Sequence, residues 1–373
     1  MRRLKLLVVP KWYPWPDRPV FGAFCREHAR ALGTKHDVVV LASLATPRPD
    51  FAIFRLEDAM EDGIRTLRVR YRRPLLRPAA MGCQLLGMLA AWRRLRRAGW
   101  RPDIVHAHVF EAAPPAFVLA RLSRTPVVIT EHYTGFQRGL VTGYDRSLAK
   151  WAFEHADLVA PVSEELAGHL RELAPGAKLE VVPNVVDTET FAPGGTPRGA
   201  SDKRLLNVAA LAEKKGHRYL LEALRDIPDT TLDIVGDGEL RRDLEHQANA
   251  LELSDRVRFL GERPKQEVAE LMRKADLFVL PSLAENLPVV LIEAQASGLP
   301  AVATRVGGVP ELVDEAAGAL VPPADPPALA EAIHTTLARD FEGPALAARA
   351  RDRYSYDAIC DRWTAIYTRL LRS

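Results

Sequence analysis

The sequence predicts an α/β protein built from two doubly wound domains, and three features carry that expectation. Short Val/Ile/Leu runs recur along the chain with turn residues directly after them. Stretches of helical length separate the runs, and the alternation restarts after a Gly-, Pro- and Ala-rich stretch near the middle. Near-continuous apolar strands alternating with helices belong in parallel sheets covered on both faces. A chain of 373 residues also suits two domains of roughly 150 residues better than one.

The elements follow in order. In the first half the strands are LKLLVV (4–9), DVVVLA (37–42), DIVHAH (103–108), PVVIT (126–130) and DLVAPV (157–162). Helical segments such as Gly22–Leu32 and Glu164–Leu173 lie between them. APGGTPRGASDK (192–203) reads as a linker. The pattern resumes with RLLNVAA (204–210), TLDIVG (231–236), RVRFLG (256–261), DLFVLP (276–281) and PAVAT (300–304). The expected division is therefore a first domain over 1–190, a linker over 191–203, a second domain over 204–352 and a terminal helix over 353–373. In such sheets ligands sit beyond the carboxyl ends of the strands, so the residues just after each strand are the candidates for function. No solenoid repeat or low-complexity tail is present.

Composition narrows the class. At 47% hydrophobic and 27% charged residues the chain can build full cores and is neither disordered nor fibrous. Cys25, Cys83 and Cys360 are odd in number and lack CxxC spacing. That argues against a disulfide scaffold or a zinc site and fits a reducing cytosol. The opening MRRLKLLVV is cut short by Pro10 and reads as a first buried strand, not a signal segment. The nearly uncharged run Ala79–Trp92 is shorter than the ~20 residues of a membrane span. A cytoplasmic protein is expected.

The net charge of +3 hides an asymmetry. Residues 1–185 hold 28 Lys+Arg against 18 Asp+Glu, and the remainder holds 23 against 30. Between Gly63 and Pro102 stand eleven arginines and no acid. A basic half points to nucleic acid, an anionic membrane or a phosphorylated substrate. The acid-free stretch reads RVRYRRPLLRP, AAMGCQLLGMLAAW and RRLRRAGWRP. Apolar residues between arginine clusters and tryptophans, in a helix too short to span, describe a membrane-docking element. A core helix with only its arginines outside is the equal alternative.

The second half holds the informative residues. In DLFVLPSLAENLPVVLIEAQASGLPAVATRVGG (276–308) a strand leads through a short loop into a helix opening near Pro288 and closing before Gly298. Glu285 lies in the loop and Glu293 about one and a half turns into the helix. The helix N-terminus, with its free N–H groups and positive dipole end, is a place for phosphate. A carboxylate on each side of that anion site would suit a sugar nucleotide, which carries polyol groups on both sides of its diphosphate. On spacing alone, two solvated charges are the simpler account.

These residues carry a family resemblance. Glu285–Glu293 resembles the E-x7-E motif of retaining GT-B glycosyltransferases, especially glycosyltransferase family 4, and EAQASGLPAVATRVGGVPEL resembles that family's continuation. VPNVVDTETFAP (182–193), LAEKKGHRYLLEAL (211–224) and VGDGELRRDL (235–244) are similar to further family patterns. KWYPWPDRPVFGAFCREHARAL (11–32), DIVHAH and ITEHYTGF (129–136) are similar more loosely. The resemblance implies a GT-B fold, with two Rossmann-like domains facing across a cleft and the C-terminal helix returning to the first. It implies an acceptor-binding first domain and a nucleotide-sugar-binding second domain.

Roles follow from the resemblance by position. Glu293 matches the glutamate that accepts from the ribose hydroxyls, and Glu285 the one that contacts the donor sugar. The backbone at Asn286, Leu287 and Val289 would meet sugar and phosphate, whereas Pro288 has no N–H to give. Lys215 matches the lysine that neutralises the diphosphate leaving group. The family's arginine five residues earlier is Ala210 here, with Lys214 or Arg218 as substitutes. Gly22 matches a glycine of the amino-terminal loop, where backbone approaches donor or acceptor, although an ordinary loop-to-helix turn explains it equally. His132 follows PVVIT and matches a histidine lining the donor-sugar site, while His106 and His108 end another strand. Gly236 and Gly238 sit in VGDGELRR, which lacks the third glycine of a dinucleotide fingerprint and reads as a strand-to-helix turn near the nucleotide.

The implied chemistry is transfer of a hexosyl group from a UDP- or GDP-sugar to an acceptor hydroxyl, with retention at the anomeric carbon. The setting implied is bacterial polysaccharide or glycolipid synthesis, with a sugar or lipid-linked acceptor and peripheral contact with an anionic inner-membrane face. No D-x-D pair occurs, so no metal and no further cofactor are expected, and no nucleic-acid partner. A catalytically degenerate sugar-nucleotide binder, favoured by Ala210, stays open, as does another GT-B-like enzyme such as a phosphorylase or epimerase.

Overall fold

The computed structural model describes residues 2–47, 49–194 and 203–372. The chain divides into two compact units, Met1–Val185 with Tyr356–Ser373, and Val186–Ser355. Of the linker read at 191–203, residues 195–202 lie outside the described residues, and Lys203 already belongs to a strand.

The first unit runs β1 (Lys5–Pro10), α1 (Ala23–Gly33), β2 (Asp37–Thr46), β3 (Phe54–Glu61), β4 (Ile64–Arg72), α2 (Arg77–Arg97), β5 (Ile104–His108), α3 (Ala113–Ser123), β6 (Val127–Glu131), α4 (Gly143–His155), β7 (Leu158–Pro161) and α5 (Glu164–Leu173). Its seven strands lie in the order β3-β4-β2-β1-β5-β6-β7. β5, β6 and β7 are buried at every residue, as strands covered on both faces must be. α1 turns Cys25, His28, Ala29 and Leu32 inward at helical spacing. Ser163 caps α5 by accepting from the Leu166 amide at 3.1 Å.

The second unit runs β8 (Lys203–Val208), α6 (His217–Arg225), β9 (Thr230–Val235), α7 (Arg241–Ala250), β10 (Val257–Gly261), α8 (Lys265–Lys274), β11 (Leu277–Leu280), α9 (Val289–Ala296), β12 (Ala301–Thr304), β13 (Gly318–Val321), α10 (Pro326–Leu337) and α11 (Gly343–Tyr354). Its six parallel strands lie in the order β10-β9-β8-β11-β12-β13. From β8 the chain builds outward to one side and then restarts at β11 on the other. The point between β8 and β11 is thus the switch where such sheets take ligands. The last helix, α12 (Tyr356–Leu370), belongs to the first unit. It is tied there by Tyr367 Oη to His106 Nδ1 (2.7 Å), Thr364 Oγ1 to His36 Nε2 (2.8 Å) and Lys35 Nζ to Asp361 (2.6 Å).

Three local readings are corrected. The alternation read from the sequence misses β3 and β4, an antiparallel edge strand and the parallel neighbour of β2, joined through Asp62 and Gly63, both with positive φ, and it misses β13. The arginine-rich stretch does not lie on one element. RVRYR lies in β4, where Arg68 is 7% exposed. Its guanidinium packs over Tyr13 and Trp15, donates to the Pro14 carbonyl at 2.9 Å and pairs with Glu61. The run Ala79–Trp92 divides the two alternatives between them. Met88, Ala91 and Leu95 are core, whereas Met81 and Leu86 are exposed. Among the described residues no helix is long and apolar enough to cross a membrane.

Candidate functional site

In the second unit the predicted residues converge at the carboxyl ends of β8 and β11. After β8 the chain makes a short 3-10 turn, Glu213–Lys215. The Leu283 amide donates to the Lys214 carbonyl at 2.7 Å, locking that turn to the loop after β11. Lys215 and Glu285, 70 residues apart, thereby form an ion pair, with side chains 16% and 7% exposed. Ser282 Oγ donates to the same Glu285 oxygen at 2.8 Å. A hydrogen-bonded pair this dry is costly to break from one side, about 3–5 kcal/mol, because the remaining charge stays buried.

Asn286 and Leu287 are buried, and Pro288 caps α9 with extended backbone. Val289 and Val290 supply the first amides of the helix, which have no carbonyl a turn behind them. Glu293 is half-buried on the same helix. Gly236 follows β9 with φ of 133° and donates its amide to Gly261 at 2.9 Å. A Cβ there would lie 2.0 Å from the Ala209 carbonyl oxygen, so only glycine fits beside the end of β8. Ala210 is exposed just past β8, and Arg218 is turned to Glu213 on the surface.

Sequence reading missed the frame beneath this pair. Asn207 on β8 donates to the Val279 carbonyl at 2.8 Å, and its Oδ1 meets His217 Nε2 at 3.0 Å. Burial, with Lys215 adding to it, lowers the His217 pKa to about 4. A polar residue inside the apolar run LLNV was the available signal.

The first unit gathers its histidines at the ends of β5 and β6. His106 is fully buried with both ring nitrogens bonded, to Tyr367 Oη at 2.7 Å and Thr130 Oγ1 at 2.6 Å, which makes it a core residue. His108 Nδ1 meets His132 Nε2 at 3.0 Å with the rings stacked. His28 sits edge-on to both. Of the four, His132 alone keeps partial exposure. Burial keeps all four neutral. It lowers His28 to about 4 and, with His28 beside it, His106 to about 3. His108 and His132 fall well below the usual imidazole value, first by burial and then by the neighbouring rings.

Glu131, the last residue of β6, was also missed. Its carboxylate accepts from the Phe110 amide (2.9 Å) and from the His132 and Tyr133 amides (both 2.8 Å). It thus ties together the two turns that carry His108 and His132. Burial pushes its pKa up to about 7, against the pull of those three amides. Between them Val109 is held at φ 70°, a strained setting for a β-branched residue.

Cys25, His108 and His132 each offer a ligand atom within 4.8 Å of the others, which makes them the group among the described residues able to hold a metal ion. They come from three separate segments, so spacing in the chain gave no sign of them. Gly22 caps α1 at φ 70°, and a Cβ there would lie 2.3 Å from the Trp12 carbonyl carbon. The fold itself thus demands this glycine.

Comparison with known proteins adds to this geometry. The profile described as Glycosyltransferase Family 4 matches residues 22–190, and that described as Glycosyl transferases group 1 matches residues 192–354. The chain is 32% identical over 274 residues to the putative colanic acid biosynthesis glycosyltransferase WcaL of Escherichia coli, covering 69% of this chain and 67% of that one. It is 29% identical over 384 residues to a glycogen synthase of Mycobacterium tuberculosis, covering 95% and 91%. Among solved structures, Anabaena HepE in complex with UDP and glucose superposes with a TM-score of 0.74 at 20% identity, over 98% of this chain and all of that one.

Proposed function

Since the chain belongs to the group 1 glycosyl transferases of glycosyltransferase family 4, and is thus a glycosyltransferase, we propose that it moves a hexosyl group from a UDP- or GDP-sugar to an acceptor hydroxyl with retention at the anomeric carbon. The observation that carries this reading is the Lys215–Glu285 pair beside the α9 N-terminus, at the switch point of the second sheet. The leaving group is a nucleoside diphosphate, so the catalytic demand is to stabilise charge developing on phosphate. Lys215 and the amides of Val289 and its neighbours supply that without a metal ion. Glu285, released from Lys215 as the diphosphate takes the ammonium, contacts the sugar. Glu293 accepts from the ribose hydroxyls, the backbone at Asn286 and Leu287 meets the sugar and phosphate, and Gly236 lines the nucleotide. By the same resemblance His132 is assigned to the donor sugar, and Gly22 to the turn whose backbone approaches donor or acceptor.

A neighbour of this fold solved with UDP and glucose favours a UDP-sugar. A relative named for colanic acid synthesis favours a role in bacterial polysaccharide or glycolipid assembly. The exposed arginines of the first unit, such as Arg72 and Arg73, favour peripheral contact with anionic membrane, which sedimentation with anionic and neutral vesicles at low and high salt tests directly. Equal recovery with both vesicle types would reject it.

A thermal-shift panel of UDP-, GDP- and ADP-sugars tests the donor. A ligand at 100 times its dissociation constant should add about 2.7 kcal/mol. Transfer and donor hydrolysis are then measured in Lys215→Ala, Glu285→Ala and Glu293→Ala. Wild-type rates in all three would show the site misassigned. Ala210, where the family has a cation, favours a second reading as a binder without turnover, and binding with neither transfer nor hydrolysis would establish that one.

A further inference from the structure

Cys25 stands in the first turn of α1, His108 ends β5 and His132 directly follows β6. The Cys25 sulfur and one ring nitrogen of each histidine all lie within 4.8 Å of one another. Cys25 and His108 are fully buried, while His132 is half-buried and leaves a way in from solvent. The two turns that carry the histidines are tied together by the Glu131 carboxylate through the Phe110, His132 and Tyr133 amides. His108 Nδ1 and His132 Nε2 face each other at 3.0 Å, with one proton between them. Tetrahedral zinc holds two imidazole nitrogens about 3.3 Å apart, and a nitrogen and a thiolate about 3.6 Å apart. The histidine pair is therefore already near chelating separation. The Cys25 sulfur, within 4.8 Å of both nitrogens, has at most about 1.2 Å to close.

The surrounding charge favours a cation. Glu131 is fully buried, and among the described residues it accepts from backbone amides and pairs with no cation. Burial first, and the Glu131 carboxylate after it, push the Cys25 thiol well above its usual pKa, so that carboxylate is close enough for the sulfur to feel its charge. A buried carboxylate is ordinarily paired or set against a metal. A dication bonded to the Cys25 thiolate would balance the sulfur and Glu131 together. Hard ions such as Mg2+ and Ca2+ take oxygen ligands, whereas one sulfur and two imidazoles suit zinc and its neighbours in the transition series.

We propose that Cys25, His108 and His132 form a site for a thiophilic divalent cation of the zinc class, and that the bound ion inhibits the enzyme by taking the His132 ring away from the donor sugar. The inhibition rests on the transferase reading, through His132; the cation site does not. On binding, the Cys25 thiol gives its proton to solvent and the sulfur bonds the ion. The proton between the imidazoles moves to the outer nitrogen of the ring that carried it. Both histidines thus stay neutral, and one proton leaves per ion bound. The fourth position of the ion is left to water.

The test titrates the full chain, reduced and stripped with EDTA, with Co2+ as a spectroscopic substitute for zinc. A single equivalent should raise a thiolate-to-cobalt charge-transfer band, and Zn2+ should abolish it. Calorimetry of zinc binding in buffers of different ionisation enthalpy should read one proton released per ion. Cys25→Ser should lose the band and bind zinc about a hundredfold more weakly, whereas Cys83→Ser, at a half-buried cysteine outside the group, should keep both. His108→Gln should weaken zinc as much as Cys25→Ser, so the outcome does not hang on the folding of one variant. A wild type without the band, or a band that survives in Cys25→Ser, would overturn the proposal. Activity is read separately, as hydrolysis of UDP-glucose. Saturating zinc should slow the wild type about tenfold or more, EDTA should restore it, and the same zinc concentration should not slow Cys25→Ser. Zinc binding with undiminished hydrolysis would overturn the inhibition. No hydrolysis by the metal-free wild type would bring down the transferase reading and leave the cation site standing on its cobalt spectrum.

Discussion

Glu131→Gln isolates a buried carboxyl that its surroundings pull in opposite directions. Burial pushes its pKa from 4.5 to about 7, while the amides of Tyr133, Phe110 and His132 favour the ionised form. The unfolded chain releases this proton near 4.5, so the folded chain holds it longer. The stability this group contributes is fully present below pH 4.5 and is lost as pH rises through 7. The interval from 4.5 to 7 corresponds to roughly 3 kcal/mol. Glutamine does not titrate, and the other ionisable groups are common to both proteins. The wild type's stability relative to Glu131→Gln should therefore fall by about 2–3 kcal/mol between pH 5 and pH 8. Urea unfolding followed by tryptophan fluorescence at pH 5, 6, 7 and 8 measures that difference. A difference that stays flat, or widens in the wild type's favour as pH rises, would mean that the three amides outweigh burial, and the reasoning would be refuted.

Other outcomes are equally direct. The imidazoles of His28, His106 and His217 stay neutral down to about 4, 3 and 4, whereas the unfolded chain protonates near 6.5. Stability should therefore be lost as pH falls from 6.5 towards 4, by roughly 3 kcal/mol from His28 alone, and an acid titration of the melting temperature without a decline there would contradict it. Gly22→Ala forces a Cβ to 2.3 Å from the Trp12 backbone at positive φ and should cost at least about 1–2 kcal/mol; an unchanged urea midpoint would show that the loop yields freely. Glu293→Ala should weaken nucleotide-sugar binding tenfold or more, as loss of a charged hydrogen bond of ~1.5–3 kcal/mol requires, and calorimetry with the donor reads it. Prolonged EDTA treatment should leave transfer unchanged, and a loss restored by one divalent ion would turn attention to Cys25, His108 and His132.

The sequence by itself determined the strand and helix alternation, the restart at the second unit and the loop-helix carrying Glu285 and Glu293. These depend on local properties, apolar period and Pro/Gly punctuation, which are written in consecutive residues. What only tertiary structure decided is how distant residues meet. Lys215 reaches Glu285 because β8 and β11 are neighbours at the switch point, a fact of strand order that no short window contains. Glu131 reads as one acid among apolar residues until the turns after β5 and β6 converge on it. The arginines in and just after β4 looked alike in the chain, yet Arg68 is core and Arg73 is surface, because the Tyr13 and Trp15 rings and the Pro14 carbonyl enclose the Arg68 guanidinium. α2 likewise had two readings of equal merit from its composition. One face of the helix, with Met88, Ala91 and Leu95, is covered, while Met81 and Leu86 lie in the open although Gln84 bonds Ser43 of β2, and burial depends on what lies opposite a side chain, not on the side chain alone.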